Sequence, residues 1–177
     1  MNILYLHGLK SKLSSEKRKI LGQYGKVFAP DIDYNSKYIQ PVEILKQYPW
    51  TEFNVVIGSS MGALNAYIIS ENIGRTALLF NPPLSKYHAL TFKAHFAKGL
   101  ASKQILLGGK DNVVDPIQTL NILAKHLKNS ELEIITNPDL GHRIPIELFK
   151  DQVTAFFCKT LLLNPTYVCT PNHKTSF

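Results

Sequence analysis

Six short apolar runs, rich in β-branched and aromatic residues, recur along this chain with helix-forming stretches between them. They are Asn2 to Leu6, Lys26 to Asp33, the run from Phe53 to Ile57, Arg75 to Phe80, Gln104 to Gly108 and Leu132 to Thr136. Strands that alternate with helices must run parallel, because each crossover returns the chain to the same end of the sheet. Such strands are buried on both faces and read as continuous apolar runs, as these do. The expected architecture is therefore a three-layer α/β/α sandwich around a mostly parallel sheet of about six strands. Helices are expected over Ser14 to Gln23, Pro41 to Gln47, Ala63 to Ile73, Ile117 to Lys128 and Ile146 to Leu162. Ser14-Ser15-Glu16 reads as the cap of the first of these.

The third run leads straight into Gly58-Ser59-Ser60-Met61-Gly62 and then into the helix ALNAYIISENI. A Gly-x-Ser-x-Gly between a strand and a helix is the layout of a nucleophile elbow, which pushes the serine hydroxyl out into a cleft. Gly58 and Gly62 are the small residues that such crowding demands. Acyl transfer is the chemistry this predicts. A serine hydroxyl is a weak nucleophile at neutral pH and needs an imidazole beside it. The imidazole in turn needs a carboxylate to fix its tautomer.

Sites in doubly wound sheets form outside the C-terminal ends of the strands. Three suitable residues fall at such ends in the order Ser60, Asp111, His142, which is the order of α/β-hydrolases. His142 follows Gly141 just past a strand. His88, His95, His126 and His173 fall in helical or tail contexts. Asp111 lies three residues past Gly108 and is the favoured acid. Asp115, next to Pro116, is the alternative and reads equally as a helix cap. Asp139 precedes Leu140-Gly141 and reads as turn chemistry. An oxyanion hole needs two backbone N–H donors. Met61 supplies one at a helix N-terminus, and the loop after the first strand supplies the other at Gly8 or Leu9, with Leu9 preferred. His7 is then a side chain that orients this loop.

Composition narrows the class further. A chain of 177 residues with 45% hydrophobic and 19% charged residues fits one globular domain, expected over 1–163, with a polar tail over 164–177. The strand at the very start and the lack of a long apolar run point to the cytoplasm, with neither leader nor membrane span. The net charge of +7 is scattered, with a modest cluster at Lys10, Lys12, Lys17, Arg18 and Lys19. No nucleic-acid motif accompanies it, so nucleic acid is not an expected partner. Cys158 and Cys169 have neither metal spacing nor a disulfide framework. The stretch 84–102, with Tyr87, His88, Phe92, His95 and Phe96, reads either as a wall of a substrate pocket or as a plain connecting helix. Oligomeric state is not legible.

Leu4-Tyr5-Leu6-His7-Gly8, the Gly-Ser-Ser elbow, Asn81-Pro82, the segment from Asp111 to Asp115 and Gly141-His142 together resemble the α/β-hydrolase superfamily. More narrowly they are similar to its small YqiA-like esterases, over about residues 1 to 160. The resemblance implies a minimal hydrolase fold without a large lid. It also implies a serine esterase that uses neither metal nor organic cofactor and acts on small esters or thioesters. Carried over, Ser60 is the nucleophile, His142 the base, Asp111 its acid partner, and Met61 and Leu9 the oxyanion donors. Ala63 stands where the family often has a second glycine, and Gly141 where it commonly has asparagine. A thioesterase, amidase or peptidase on the same triad, or a non-catalytic binding protein of this fold, are the other readings.

Overall fold

The computed structural model describes residues 1–35, 40–86, 102–126 and 131–162. Its strands are β1 Asn2–Leu6, β2 Lys26–Phe28, β3 Val55–Ser59, β4 Thr76–Phe80, β5 Lys103–Gly108 and β6 Leu132–Asn137. Its helices are α1 Ser15–Gly22, α2 Gln40–Lys46, α3 Met61–Ile73, α4 Pro116–His126 and α5 Ile146–Leu162. The strands form one sheet in the order β2-β1-β3-β4-β5-β6, and every pairing is parallel.

Strand alternation explains why the sheet needs cover on both sides. Leu4, Leu6, Val56, Ala77, Leu79, Ile105 and Leu107 pack with Ile44, Leu64 and Leu123 of α2, α3 and α4. Ile3, Tyr5, Val55, Ile57, Leu78, Phe80 and Leu106 pack on the other face with Leu21 of α1 and with Phe149, Val153, Phe156 and Phe157 of α5. Each large side chain of this kind contributes about 1.5–3 kcal/mol when fully buried. α3 is enclosed from Gly62 through Ser70, as its apolar sequence on most sides requires.

Strand order reverses direction at β1. The chain steps outward from β1 to β2, then crosses back to place β3 on the far side of β1. This switch point, where sheets of this kind place their ligands, is where the chain leaves β1 at His7-Gly8 and β3 at Ser59-Ser60.

Most expected elements fall within two residues of their expected bounds. One differs more. The strand expected over Lys26 to Asp33 stops at Phe28. Pro30 has no N–H to give a ladder, and β2 is an edge strand. The N–H of Ile32 instead donates to His7 Nε2 at 3.1 Å. The first helix is capped as expected, with Ser14 Oγ accepting from the Lys17 N–H at 3.2 Å. Of the stretch 84–102, the 3₁₀ turn Leu84–Lys86 and Ser102 are described, and the rest of the expected pocket wall lies outside the described residues. So do Cys169 and the tail 164–177. Among the described residues no helix is long and apolar enough to cross a membrane.

Candidate active site

The turn at Ser60 is set by sterics. Ser60 has φ 54° and ψ −126°, a conformation that costs a non-glycine residue strain and that a packed surround must hold in place. Its N–H donates to Phe80 O at 2.9 Å, and its carbonyl accepts from Ala63 and Leu64. The flanking glycines are required by close approach. A Cβ on Gly58 would fall 2.6 Å from Ala63 Cα, and one on Gly62 would strike the carbonyl oxygens of Leu6 and His7. The helix α3 thus starts as near to β1 and β3 as backbone allows, and aims its N-terminus at the space beside Ser60.

Three loops bring Ser60, His142 and Asp111 together. Ser60 Oγ lies 3.0 Å from His142 Nε2. His142 Nδ1 lies 2.8 Å from Asp111 Oδ2. The other carboxylate oxygen, Oδ1, accepts from the N–H groups of Val113 at 2.8 Å and Val114 at 2.9 Å. The Asp111 side chain is fully buried while that of His142 keeps 22% of its exposure. A carboxylate beside Nδ1 assigns the ring proton to that nitrogen, which leaves Nε2 as an acceptor for the Ser60 hydroxyl. The arrangement can therefore take a proton from Ser60 and hold the resulting imidazolium.

The alternative acids lie elsewhere. Asp115 Oδ1 accepts from Ile117 N–H at 2.8 Å, as a cap on α4. Asp139 is exposed and paired with Lys110 at 2.6 Å. The side chains of His88, His95, His126 and His173 lie outside the described ones.

The loop after β1 sits against the elbow. A Cβ on Gly8 would meet Ser60 Cβ at 3.1 Å and Ser59 O at 3.3 Å, so Leu9 leaves Gly8 right at the serine. Met61 is the first residue of α3, and its amide has no intrahelical acceptor. His7 is buried. Its Nδ1 lies 2.7 Å from Gly8 O, and its Nε2 accepts from Ile32 N–H. These partners place the proton on Nδ1, and both ring nitrogens are used in tying the β1 loop to the segment after β2. A cleft of about 540 Å³ opens beside this tie, lined by Lys10, Ser11, Lys12, Asp31 and Asp33 among others. Part of the basic cluster is built into the structure here. Lys12 pairs with Asp31 at 3.0 Å, and Lys17 lies 4.8 Å over the Phe149 ring.

Some supporting contacts have no role assigned from sequence, although Tyr5 and Asn81 stand in motifs that carry the resemblance. Tyr34 donates its hydroxyl to His7 O, and Tyr5 OH lies 3.2 Å from Ser59 Oγ. Burial pushes both phenols up from their ordinary value, so both stay protonated at neutral pH. Tyr34 lies 27 residues from its partner, so no local signal marks it. Asn81 carries a weak signal, as an asparagine before proline at a strand end. Among the described residues no group of His, Cys, Asp and Glu could hold a metal ion.

No family model and no curated protein matches this chain. Solved structures do match. SOBER1 from Arabidopsis thaliana superposes with a TM-score of 0.64 at 12% identity, covering 89% of this chain and 99% of that one. A protein of the α/β-hydrolase superfamily from Xanthomonas campestris gives 0.63 at 16% identity, over 89% and 97%. A carboxylesterase from Mesorhizobium loti gives 0.63 at 17% identity, over 89% and 88%. The chain has the α/β-hydrolase fold. Within that fold the six parallel strands and five flanking helices among the described residues make a minimal version.

Proposed function

We propose that this chain is a serine hydrolase that cleaves small carboxylic esters through an acyl-enzyme. The observation that carries the reading is the continuous chain of contacts from Ser60 Oγ through His142 to a buried Asp111. Ser60 Oγ attacks the ester carbonyl carbon while its proton passes to His142 Nε2. Asp111 remains ionised and stabilises the imidazolium. The carbonyl oxygen becomes an oxyanion, held by the N–H groups of Met61 and Leu9. Collapse breaks the bond to the alcohol, which leaves with the proton from Nε2. Water then attacks the acyl-enzyme, gives a proton to the same nitrogen, and releases the acid as Ser60 recovers its own. Gly8, Gly58 and Gly62 keep backbone close enough for this geometry, and His7 fixes the loop that carries Leu9. Each step uses groups of the chain and water.

An ester is preferred as substrate because esterases recur among the proteins of similar fold, the Mesorhizobium loti carboxylesterase among them. Thioesters and amides would use the same groups, and a substrate panel separates them. The direct test is a fluorophosphonate probe together with p-nitrophenyl acetate and butyrate, run on wild type, Ser60→Ala and His142→Ala. Labelling at Ser60, with hydrolysis lost in both variants, is expected. A folded wild type that neither labels nor hydrolyses would overturn the proposal.

A further inference from the structure

At the C-terminal end of β4, two consecutive residues touch all three loops of the site. Phe80 O accepts from the Ser60 N–H at 2.9 Å. Asn81 then works in three directions. Its backbone N–H donates to Leu106 O of β5 at 2.9 Å. Its Oδ1 accepts from the Gly108 N–H at 2.8 Å, at the base of the loop that carries Asp111. Its Nδ2 donates to Gly141 O at 3.2 Å and to His142 O at 3.1 Å. Asn81 is 2% exposed and sits at φ 47°, in the left-handed region that asparagine tolerates better than most residues.

The chemistry of this junction is selective. It needs one acceptor facing an N–H and one donor facing two carbonyl oxygens, from a short side chain on a left-handed backbone. Among common residues only asparagine supplies all of these. Aspartate would keep the acceptor but turn a carboxylate oxygen toward two carbonyl oxygens. Glycine would relieve the backbone and lose every side-chain bond.

Resting on the esterase reading above, we propose that Asn81 is a positioning residue for the reaction. It sets the distance between the Asp111 and His142 loops, and through the His142 backbone it aims Nε2 at Ser60. It touches no reacting atom. Its effect is on the fraction of molecules whose imidazole stands within reach of the hydroxyl, so it acts on kcat. A misplacement of about 1 Å at such a site lowers the rate by about 100-fold.

The test compares wild type, Asn81→Asp and Asn81→Gly by kcat and KM for p-nitrophenyl acetate, melting temperature, and the NMR signal of the His142 Nδ1 proton shared with Asp111. Both variants are expected to fold, lose about 100-fold in kcat at nearly constant KM, and lose or shift that proton signal. Asn81→Ser, which can donate only one bond, should recover part of the rate. Wild-type kcat in either folded variant would overturn the proposal. So would failure of both to fold, since the amide would then be holding the fold and not the imidazole. A wild type without activity or labelling would instead count against the esterase reading on which this one rests.

Discussion

Among the described residues, an acid–base pair with one fully enclosed member lies at each end of the sheet, and the two differ in what the second member faces. At the N-terminal ends of the strands, Lys103 of β5 meets Glu71 near the end of α3 and lies 5.3 Å over the Tyr67 ring. The Lys103 side chain is fully enclosed, and its charge is held inside a helix–sheet joint. At the C-terminal ends, Asp111 is equally enclosed, and its partner His142, about as exposed as Glu71, turns its second nitrogen to a serine hydroxyl. Among the described residues, the non-glycine ones with positive φ, Lys10, Ser60 and Asn81, gather at this second end. The second pair thus has a proton acceptor facing a hydroxyl beside strained backbone, and such strain persists only where the surround holds it.

Substitutions at the two ends should separate these roles, the largest effects coming at the C-terminal end. Ser60→Ala should lower turnover of p-nitrophenyl acetate by at least about 10⁴-fold and leave the melting temperature nearly unchanged. Asp111→Asn should cost on the order of 10⁴ in kcat, because an amide in that place stabilises the wrong imidazole tautomer. Activity retained in either would erase the contrast between the two ends.

Lys103→Ala should do the reverse. It opens a cavity and leaves Glu71 without its cation, for a loss of about 2–4 kcal/mol in urea unfolding, with kcat per folded molecule unchanged. A loss of kcat with full stability would show that the N-terminal pair feeds the site.

The alkaline stability profile sharpens the comparison further. Burial lowers the Lys103 pKa below its ordinary 10.5, an effect that Glu71 partly offsets. Between the folded and unfolded values the unfolded chain binds more protons, so this group makes stability rise with pH up to about that value. Lys103→Met should remove the rise. Tyr34 has the opposite sign, since burial raises its pKa above the ordinary 10.0. Its contribution is complete below pH 10 and is lost above it as the unfolded chain ionises first. Tyr34→Phe should flatten that loss and cost about 1 kcal/mol at neutral pH, for the hydrogen bond to His7 O. Denaturant midpoints between pH 8 and 11 check both.

Much of this was legible from residue order. β-branched runs between helical stretches fix a parallel sheet, because no other arrangement buries such strands on both faces. Gly58 and Gly62 around Ser60 announce a crowded strand-to-helix turn. Other features were out of reach. The strand after Lys26 was expected to run to Asp33 and stops at Phe28, because the N–H of Ile32 finds an imidazole 25 residues away. Sequence favours Asp111 over Asp115 by its place just past Gly108 but leaves the second open. The contacts part them, because Oδ2 of the first faces His142 and Oδ1 of the second caps α4.

The sequence by itself determined the order of strands and helices, the elbow, and the short set of residues able to act in it. These depend on local sterics and periodicity, which neighbouring residues specify among themselves. Tertiary structure decided which aspartate meets the imidazole, where the proton sits on His7, and that Asn81 joins the Asp111 loop to the His142 loop. Those are matters of hydrogen-bond direction between segments up to 82 residues apart, and direction exists only once the chain has closed.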